Sequence, residues 1–180
     1  SLSLPQARAV ADVLEAFGWS GSRQQPITER DSEPNILQPG ALANGTLVST
    51  LTRAAQGSEL ARLAVTASSP ADLVDEVFLR VLSRRPTAKE RDEFLPALRQ
   101  GFADRVLAPV EVVQPKPLEP LPLVTWFNHQ RSKANSTQVE LERRVRQGPP
   151  ADPRLRPAWR ETFEDFVWSL INHREFVWMP

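Results

Sequence analysis

The clearest hydrophobic pattern in the chain lies in its last twenty-odd residues. Apolar side chains recur there every three or four positions, at Trp159, Phe163, Phe166, Val167, Leu170 and Ile171. This spacing places them on one face of a helix. Pro157 fits the first turn of that helix. Because chain ends are usually polar and frayed, the pattern predicts a C-terminal helix that packs back on the rest of the fold.

A second pattern predicts a helical hairpin over residues 69–105. Each of its helices begins with a capping signal, Ser69-Pro70-Ala71-Asp72 and Thr87-Ala88-Lys89-Glu90. Apolar residues at helical spacing follow each signal: Leu73, Val77 and Val81 in the first helix, and Phe94, Leu98 and Phe102 in the second. Pro96 is expected to kink the second helix or to leave one of its hydrogen bonds unmade.

The remaining segments predict shorter elements. Residues 3–17 have one apolar face and end at Gly18, which indicates a helix. Residues 35–56 predict two short helices, because Pro39-Gly40 and Asn44-Gly45 interrupt them; the second is expected to run from Thr46 to Ala55. Residues 135–147 predict a charged helix. Five prolines in residues 108–123 favour an extended, polyproline-like strap on the protein surface.

Together these elements predict an all-α fold, an irregular bundle of six or seven short helices with a central hairpin and a proline-rich strap. We expect a single domain with three parts. Residues 1–107 form the helical core, residues 108–156 the strap and the charged helix, and residues 157–180 the C-terminal helix that packs on the core.

Charge argues against two classes of partner. The chain has 22 basic and 22 acidic side chains, so its formal net charge is zero. A nucleic-acid-binding protein needs a basic surface to displace counterions from phosphates, and a polybasic membrane-surface protein needs a similar excess. No apolar run reaches the roughly 18 residues that can span a bilayer.

The residues that usually carry chemistry are sparse. There is no cysteine, which excludes disulfides and thiolate metal sites, and only two histidines, His129 and His173, which share no metal-binding spacing. Acidic residues near the start of the last helix are explained by the helix dipole. The sequence therefore predicts no catalytic, cofactor-binding or metal-binding residue.

The sequence does indicate candidate residues for binding a partner. Trp126, Trp168 and Trp178 are large apolar residues that the predicted core does not require, and they are candidates for a partner surface. Arg143 and Arg144 are further candidates, because residues 131–160 carry eight basic and three acidic side chains. The alternative for the tryptophans is stacking on sugar rings, and the alternative for the arginines is a solvated helix face.

Three segments carry a family resemblance: PNILQPGALANGTLVSTLTR, VFLRVLSRRPTAKERDEF and EDFVWSLINHREFVWMP. In this order they resemble the C-terminal domain of unknown function of large planctomycete cytochrome-c-associated (PSD-type) proteins. Within these motifs we expect structural roles for Arg84, Arg85, Asn172, Glu175 and Phe176. Arg84 and Arg85 are expected to bind helix C-terminal carbonyls or a carboxylate such as Glu175.

The resemblance implies a functional class and no reaction. It implies an exported protein, periplasmic or on the cell surface, with haem on a partner or on another domain and no cofactor in this chain. We therefore expect a non-catalytic structural or interaction module of a multidomain protein or multi-subunit assembly, with other protein chains or its own parent protein as partner. The alternative is a module of an extracellular polysaccharide-processing enzyme or a glycan-binding protein.

Overall fold

A computed structural model describes residues 5–19 and 35–177, with side chains described for 10–19 and 35–176. These residues are largely helical and contain no β-strand, so the predicted all-α class is confirmed. The α-helices are α1 (Pro5–Ala16), α2 (Leu37–Asn44), α3 (Thr46–Leu51), α4 (Glu59–Thr66), α5 (Pro70–Leu82), α6 (Ala88–Arg99), α7 (Ser132–Gln147), α8 (Pro157–Ile171) and α9 (Arg174–Val177). A 3-10 turn covers Pro109–Glu111.

These nine described α-helices exceed the predicted six or seven, because α4 and the short α9 were not predicted as separate helices. The start signal of α4 is present in the sequence: the Ser58 hydroxyl accepts a hydrogen bond from the Ala61 N–H at 3.1 Å, and Glu59 lies in the first turn. The second helix of residues 35–56 ends earlier than predicted, at Leu51. Helix α6 continues past Pro96 to Arg99, because the cap at its start and its packing outweigh the lost bond.

The capping signals of the hairpin are confirmed. Ser69 accepts from the Asp72 N–H at 3.1 Å, with Pro70 at the first position of α5. Thr87 and Glu90 form a reciprocal capping box at the start of α6. Ser83 ends α5 with a positive φ of 56°, a left-handed conformation that turns the chain sharply toward Arg84.

Contacts divide the chain into two compact units, each with segments that are distant in sequence. Unit 1 contains residues 1–50 and 116–149, and unit 2 contains residues 51–115 and 150–180. This division differs from the predicted three-part arrangement, which stays a prediction. In unit 1, α1 packs against α2 and α7. The Asn35 amide donates to the Ala16 carbonyl at 3.1 Å and so joins the end of α1 to the start of α2.

Unit 2 has a core built by α5, α6 and α8. Three aromatic rings meet there, with centroids 6.0 Å apart for Phe78 and Phe94, 6.1 Å for Phe78 and Phe166, and 4.9 Å for Phe94 and Phe166. Phe78 and Phe163 are fully buried. Since Phe166 belongs to α8 and the other two rings to the hairpin, these contacts hold the C-terminal helix on the hairpin.

A connector of irregular backbone completes unit 2. Residues 150–156 pair in isolated antiparallel bridges with two other segments, Ala151 with Ala55 and Leu155 with Val106. The buried carboxylate of Asp152 shapes this connector by accepting from the Arg154 N–H and from its guanidinium at 2.7–2.9 Å.

The proline-rich strap carries exposed apolar side chains at Val110, Val113 and Leu118.

Candidate interaction surfaces

The corner between α5 and α6 is organised by Arg84. Its guanidinium donates to both carboxylate oxygens of Glu90, at 2.9 and 2.6 Å, and its Nε donates to Glu175 at 2.7 Å. The same guanidinium lies 5.6 Å from the centroid of the Phe78 ring. Arg84 therefore links the start of α6, the core ring of α5 and the terminal helix α9.

The electrostatics of this corner follow from the ion pairs. Hydrogen bonds from Arg84 lower the pKa of Glu90 to about 2, against an ordinary value of 4.5, and the cap at Thr87 adds to that effect. Arg84 also lowers the pKa of Glu175. Hydrogen bonds from Glu90 and Glu175 in turn raise the pKa of Arg84. All three groups stay charged near neutrality, as expected of a structural network.

Arg85 takes part in a second network on the same hairpin. Asp75 of α5 accepts two hydrogen bonds from Arg91 of α6, at 2.6 and 2.8 Å, and one from Arg85 at 3.2 Å. The Asp75 side chain is mostly buried, whereas Arg85 is exposed. Arg91 is thus the principal partner of Asp75, and the sequence patterns did not single it out.

The remaining motif residues lie at the end of the described chain. The Asn172 amide donates to the Trp168 carbonyl at 3.0 Å and so caps the C-terminus of α8. His173 Nδ1 accepts from the Glu175 N–H at 3.3 Å. Phe176 is half-buried, and its N–H donates to the His173 carbonyl at 2.9 Å.

Arg105 is a buried arginine that the sequence reasoning missed. Its guanidinium donates to the carbonyls of Ala64, Phe102, Val65 and Ala67 at 2.7, 2.8, 3.2 and 2.7 Å. It also lies 3.7 Å from the Phe102 ring centroid. Desolvation by burial lowers its pKa. Arg105 therefore closes the C-terminal end of α4, a contact that sequence spacing cannot reveal because it joins residues about forty positions apart.

The tryptophans divide into core and surface residues. Trp159 is buried, donates through Nε1 to the Leu98 carbonyl at 3.0 Å and stacks on Phe163 at 5.6 Å. Trp168, on the outer side of the same helix, is 42% exposed. Asp165 and Glu161 are exposed three and seven residues before it, on the same side of the helix, so the outer face of α8 presents an aromatic ring beside two acids. Trp178 lies outside the described residues.

Trp126 lies on a separate surface element, residues 123–131 of unit 1, which we call the aromatic turn. Trp126 and Phe127 at its tip are 81% and 92% exposed. The His129 ring stacks on Trp126 with centroids 4.9 Å apart and an interplanar angle of 27°. The two exposed rings are adjacent and form one apolar surface at the tip of the turn.

Arg143 and Arg144 both bind Glu140 within α7. Arg143 donates to both Glu140 oxygens at 2.6 and 2.7 Å, and Arg144 donates to one of them at 2.9 Å. Arg144 also donates to the Glu119 carbonyl at 2.6 Å and so ties the strap to α7. The Arg143 side chain is 55% exposed and the better placed of the two for an outside partner.

Comparison with protein-family models now places the chain among known proteins. Residues 1–98, more than half of the 180, match PSD1, described as a protein of unknown function (DUF1553). The chain belongs to the PSD1 family. The family expected from the three sequence motifs is thereby confirmed. Neither the curated proteins nor the solved structures gave a match.

The PSD1 match covers part of the geometry described above. It includes Arg84, Glu90 and Asp75 of the hairpin corner, and it ends at Leu98, the residue whose carbonyl binds Trp159. The aromatic turn and α8 follow the matched region. In the described part of this PSD1 chain, none of the helices combines the length and the apolar character needed to cross a bilayer.

The described residues of this PSD1 chain use their charged groups mainly in ion pairs. Among the described residues, no group of three or more His, Cys, Asp or Glu side chains could hold a metal ion. Five described carboxyl groups have a shifted pKa, namely Glu59, Glu90, Glu140, Asp152 and Glu175. In each case a neighbouring arginine lowers the pKa of the carboxyl group, whereas a carboxyl group that acts as a general acid at neutral pH needs a raised pKa.

Proposed function

We propose that this PSD1 chain is a non-catalytic structural and interaction module of an exported multidomain protein or multi-subunit assembly. The support is the use that the fold makes of its charged residues. Arg84, Glu90 and Glu175 hold helices together, and Arg105 closes the end of α4. These roles build a rigid scaffold, and a scaffold presents surfaces to partners.

The outer face of α8 is the observation that carries the proposal. The side chains on its inner face are buried in the core, among them Trp159, Phe163 and Phe166. Its outer face presents Trp168 beside Glu161 and Asp165. An aromatic ring with an acidic border suits a protein partner that offers an apolar patch surrounded by lysines and arginines.

The resemblance to cytochrome-c-associated proteins suggests the class of that partner. We propose an exported haem protein, or the haem-carrying part of the same parent protein, as the chain that α8 contacts. An exposed haem edge is apolar, and a basic border around it would complement Glu161 and Asp165. This chain would then position the haem protein without ligating its iron.

Site-specific cross-linking tests this function in the full-length parent protein. A photo-reactive phenylalanine analogue replaces Trp168, and a second version carries it at Leu79, an exposed apolar position on α5 that serves as control. We expect the label at position 168 to join a haem-containing chain or domain, identified by mass spectrometry, and the control label to join none. Equal cross-linking from both positions would contradict the proposal.

In the alternative function, glycan binding, fewer tryptophans are able to stack on a sugar ring than the sequence suggested. Trp159 is buried and cannot stack on a sugar. Trp126 keeps an accessible ring, but both ends of the neighbouring Asn128 amide are engaged within the turn. Sugar recognition needs such polar groups to remain available beside the aromatic face, so the alternative is the weaker of the two.

A further inference from the structure

The aromatic turn shows an unusual concentration of exposed apolar surface. Leu123, Trp126 and Phe127 are 79%, 81% and 92% exposed and lie within five residues of each other. The core of unit 1 does not use these side chains. Exposed apolar groups of this size, grouped in one turn, are typical of a contact with a protein, a membrane or a ligand.

The backbone of the turn satisfies much of its own hydrogen bonding. The Asn128 side chain accepts from the Thr125 N–H at 2.6 Å and donates to the Leu123 carbonyl at 3.0 Å. The Thr125 carbonyl accepts from the N–H groups of Asn128 and His129 at 3.2 and 3.0 Å. The Trp126 carbonyl contacts the His129 ring nitrogen. A turn with these internal bonds enters an apolar environment at reduced cost, because fewer backbone groups lose water without a replacement.

The charge around the turn has one sign. Between Glu119 and Glu140 the sequence contains no acidic residue, whereas Arg131 and Lys133 are basic and exposed. The Arg131 N–H donates to the Asn128 carbonyl at 3.0 Å, so Arg131 lies at the base of the turn itself. The zero net charge of the whole chain therefore conceals two exposed basic residues that follow the aromatic tip.

We propose that the aromatic turn docks reversibly on an anionic lipid surface. Trp126 and Phe127 enter the interface between headgroups and acyl chains, where aromatic rings are favoured. Arg131 and Lys133 contact the anionic headgroups. This inference goes beyond the proposed function, since it concerns a different element from the α8 face and does not depend on it.

Two other occupants fit the same observations less well. A second copy of the chain would bring Arg131 and Lys133 of both copies together, and like charges at an interface oppose association. A polysaccharide would need polar groups beside Trp126, but Asn128 and the His129 ring nitrogen are already engaged with the backbone. The experiment below distinguishes binding to either of these occupants from binding to lipid.

Sedimentation with vesicles tests the proposal on the full chain. The vesicles contain phosphatidylcholine with about 30% phosphatidylglycerol, or phosphatidylcholine alone, since the basic residues should require anionic lipid. We expect binding to the mixed vesicles and a loss of about tenfold or more in the partition coefficient for Trp126→Ser/Phe127→Ser. Arg131→Glu/Lys133→Glu should lose about tenfold or more as well, because each basic residue contributes roughly fivefold.

The matched control is Val110→Ser, which removes an equally exposed apolar side chain from the 3-10 turn of unit 2. It should bind like the unchanged chain. The proposal is overturned if the chain does not sediment with the mixed vesicles, or if the double aromatic variant binds as well as the control. Dimerisation in analytical ultracentrifugation, or retardation in polysaccharide-containing gels, that depends on Trp126 in the absence of vesicle binding would assign the turn to another occupant and overturn it equally.

Discussion

Arg84 and Glu90 form a two-pronged ion pair in which the same carboxylate also caps helix α6. Glu90 accepts from the Thr87 N–H at 2.7 Å while it binds the Arg84 guanidinium at 2.6 and 2.9 Å. One side chain thus starts α6 and fixes the cation that reaches Glu175 of α9. The tight corner of the hairpin and the position of α9 therefore both depend on Glu90.

Replacing Glu90 should therefore weaken two contacts at once. We expect Glu90→Gln to lower the free energy of unfolding by about 1–3 kcal/mol, because Gln has no charge and only one acceptor oxygen and cannot both cap Thr87 and form the two-pronged pair with Arg84. Urea unfolding measures the change. Glu93→Gln, an exposed position on the same helix, is the control and should change the free energy by less than about 0.5 kcal/mol. Equal effects of the two substitutions would refute the dual role.

The pH dependence of the free energy of unfolding should reflect the titration of the Glu90 carboxylate. Its pKa is about 2 in the folded protein against an ordinary value of 4.5. Because the folded-state pKa is depressed, the stabilisation is complete above the unfolded pKa and is lost as the pH falls from about 4.5 to 2. The difference in unfolding free energy between the unchanged chain and Glu90→Gln should thus shrink over that range. A difference that stays constant from pH 6 to about pH 2.5 would contradict the assigned pKa.

Two glycines near α2 should respond to alanine in opposite directions. A Cβ at Gly45 would collide with the Ala41 carbonyl oxygen, whereas one at Gly40 meets nothing within 4 Å. Gly40 lies inside the helix, so Gly40→Ala should stabilise by about 0.5–1 kcal/mol through helix propensity. Gly45→Ala should destabilise by about 1–3 kcal/mol. Thermal unfolding of both variants checks the pair, and a stabilising Gly45→Ala would show that the junction of α2 and α3 is looser than described.

Sequence reasoning recovered the parts of this fold that local signals specify. The capping residues Ser69 and Thr87 and the proline at position 157 marked helix starts correctly, because caps act within one turn. The left-handed Ser83 and the bonds from Arg105 to α4 were not predicted, because they depend on tertiary geometry. Periodicity placed Trp159 on the apolar stripe of α8 and Trp168 outside it, and in the structure Trp159 is buried whereas Trp168 is 42% exposed.

Arg105 provides a test of a contact that the sequence did not reveal. Arg105→Met removes the guanidinium donors for four buried or partly buried carbonyls and should cost about 2–4 kcal/mol, since the carbonyls at the end of α4 would lose these hydrogen bonds. Arg105→Lys keeps the charge but cannot reach all four acceptors, so it should be intermediate. Urea unfolding measures both, with Arg99→Lys on the exposed side of α6 as control. If Lys or Met were as stable as Arg, the buried guanidinium would not hold the end of α4.

Trp168 tests the central claim, that the outer face of α8 serves a partner and its inner face serves the fold. Trp159→Ala should lower the free energy of unfolding by about 3–5 kcal/mol, as expected for a buried aromatic residue. Trp168→Ala should cost less than about 2 kcal/mol, because its ring is 42% exposed.

The most direct measurement is therefore partner retention by the Trp168→Ala variant of the full-length parent protein, purified under native conditions and compared with the unchanged protein. The account predicts a folded variant from which the haem-containing partner is lost or greatly reduced. A folded Trp168→Ala variant that retains its partner in full would contradict it.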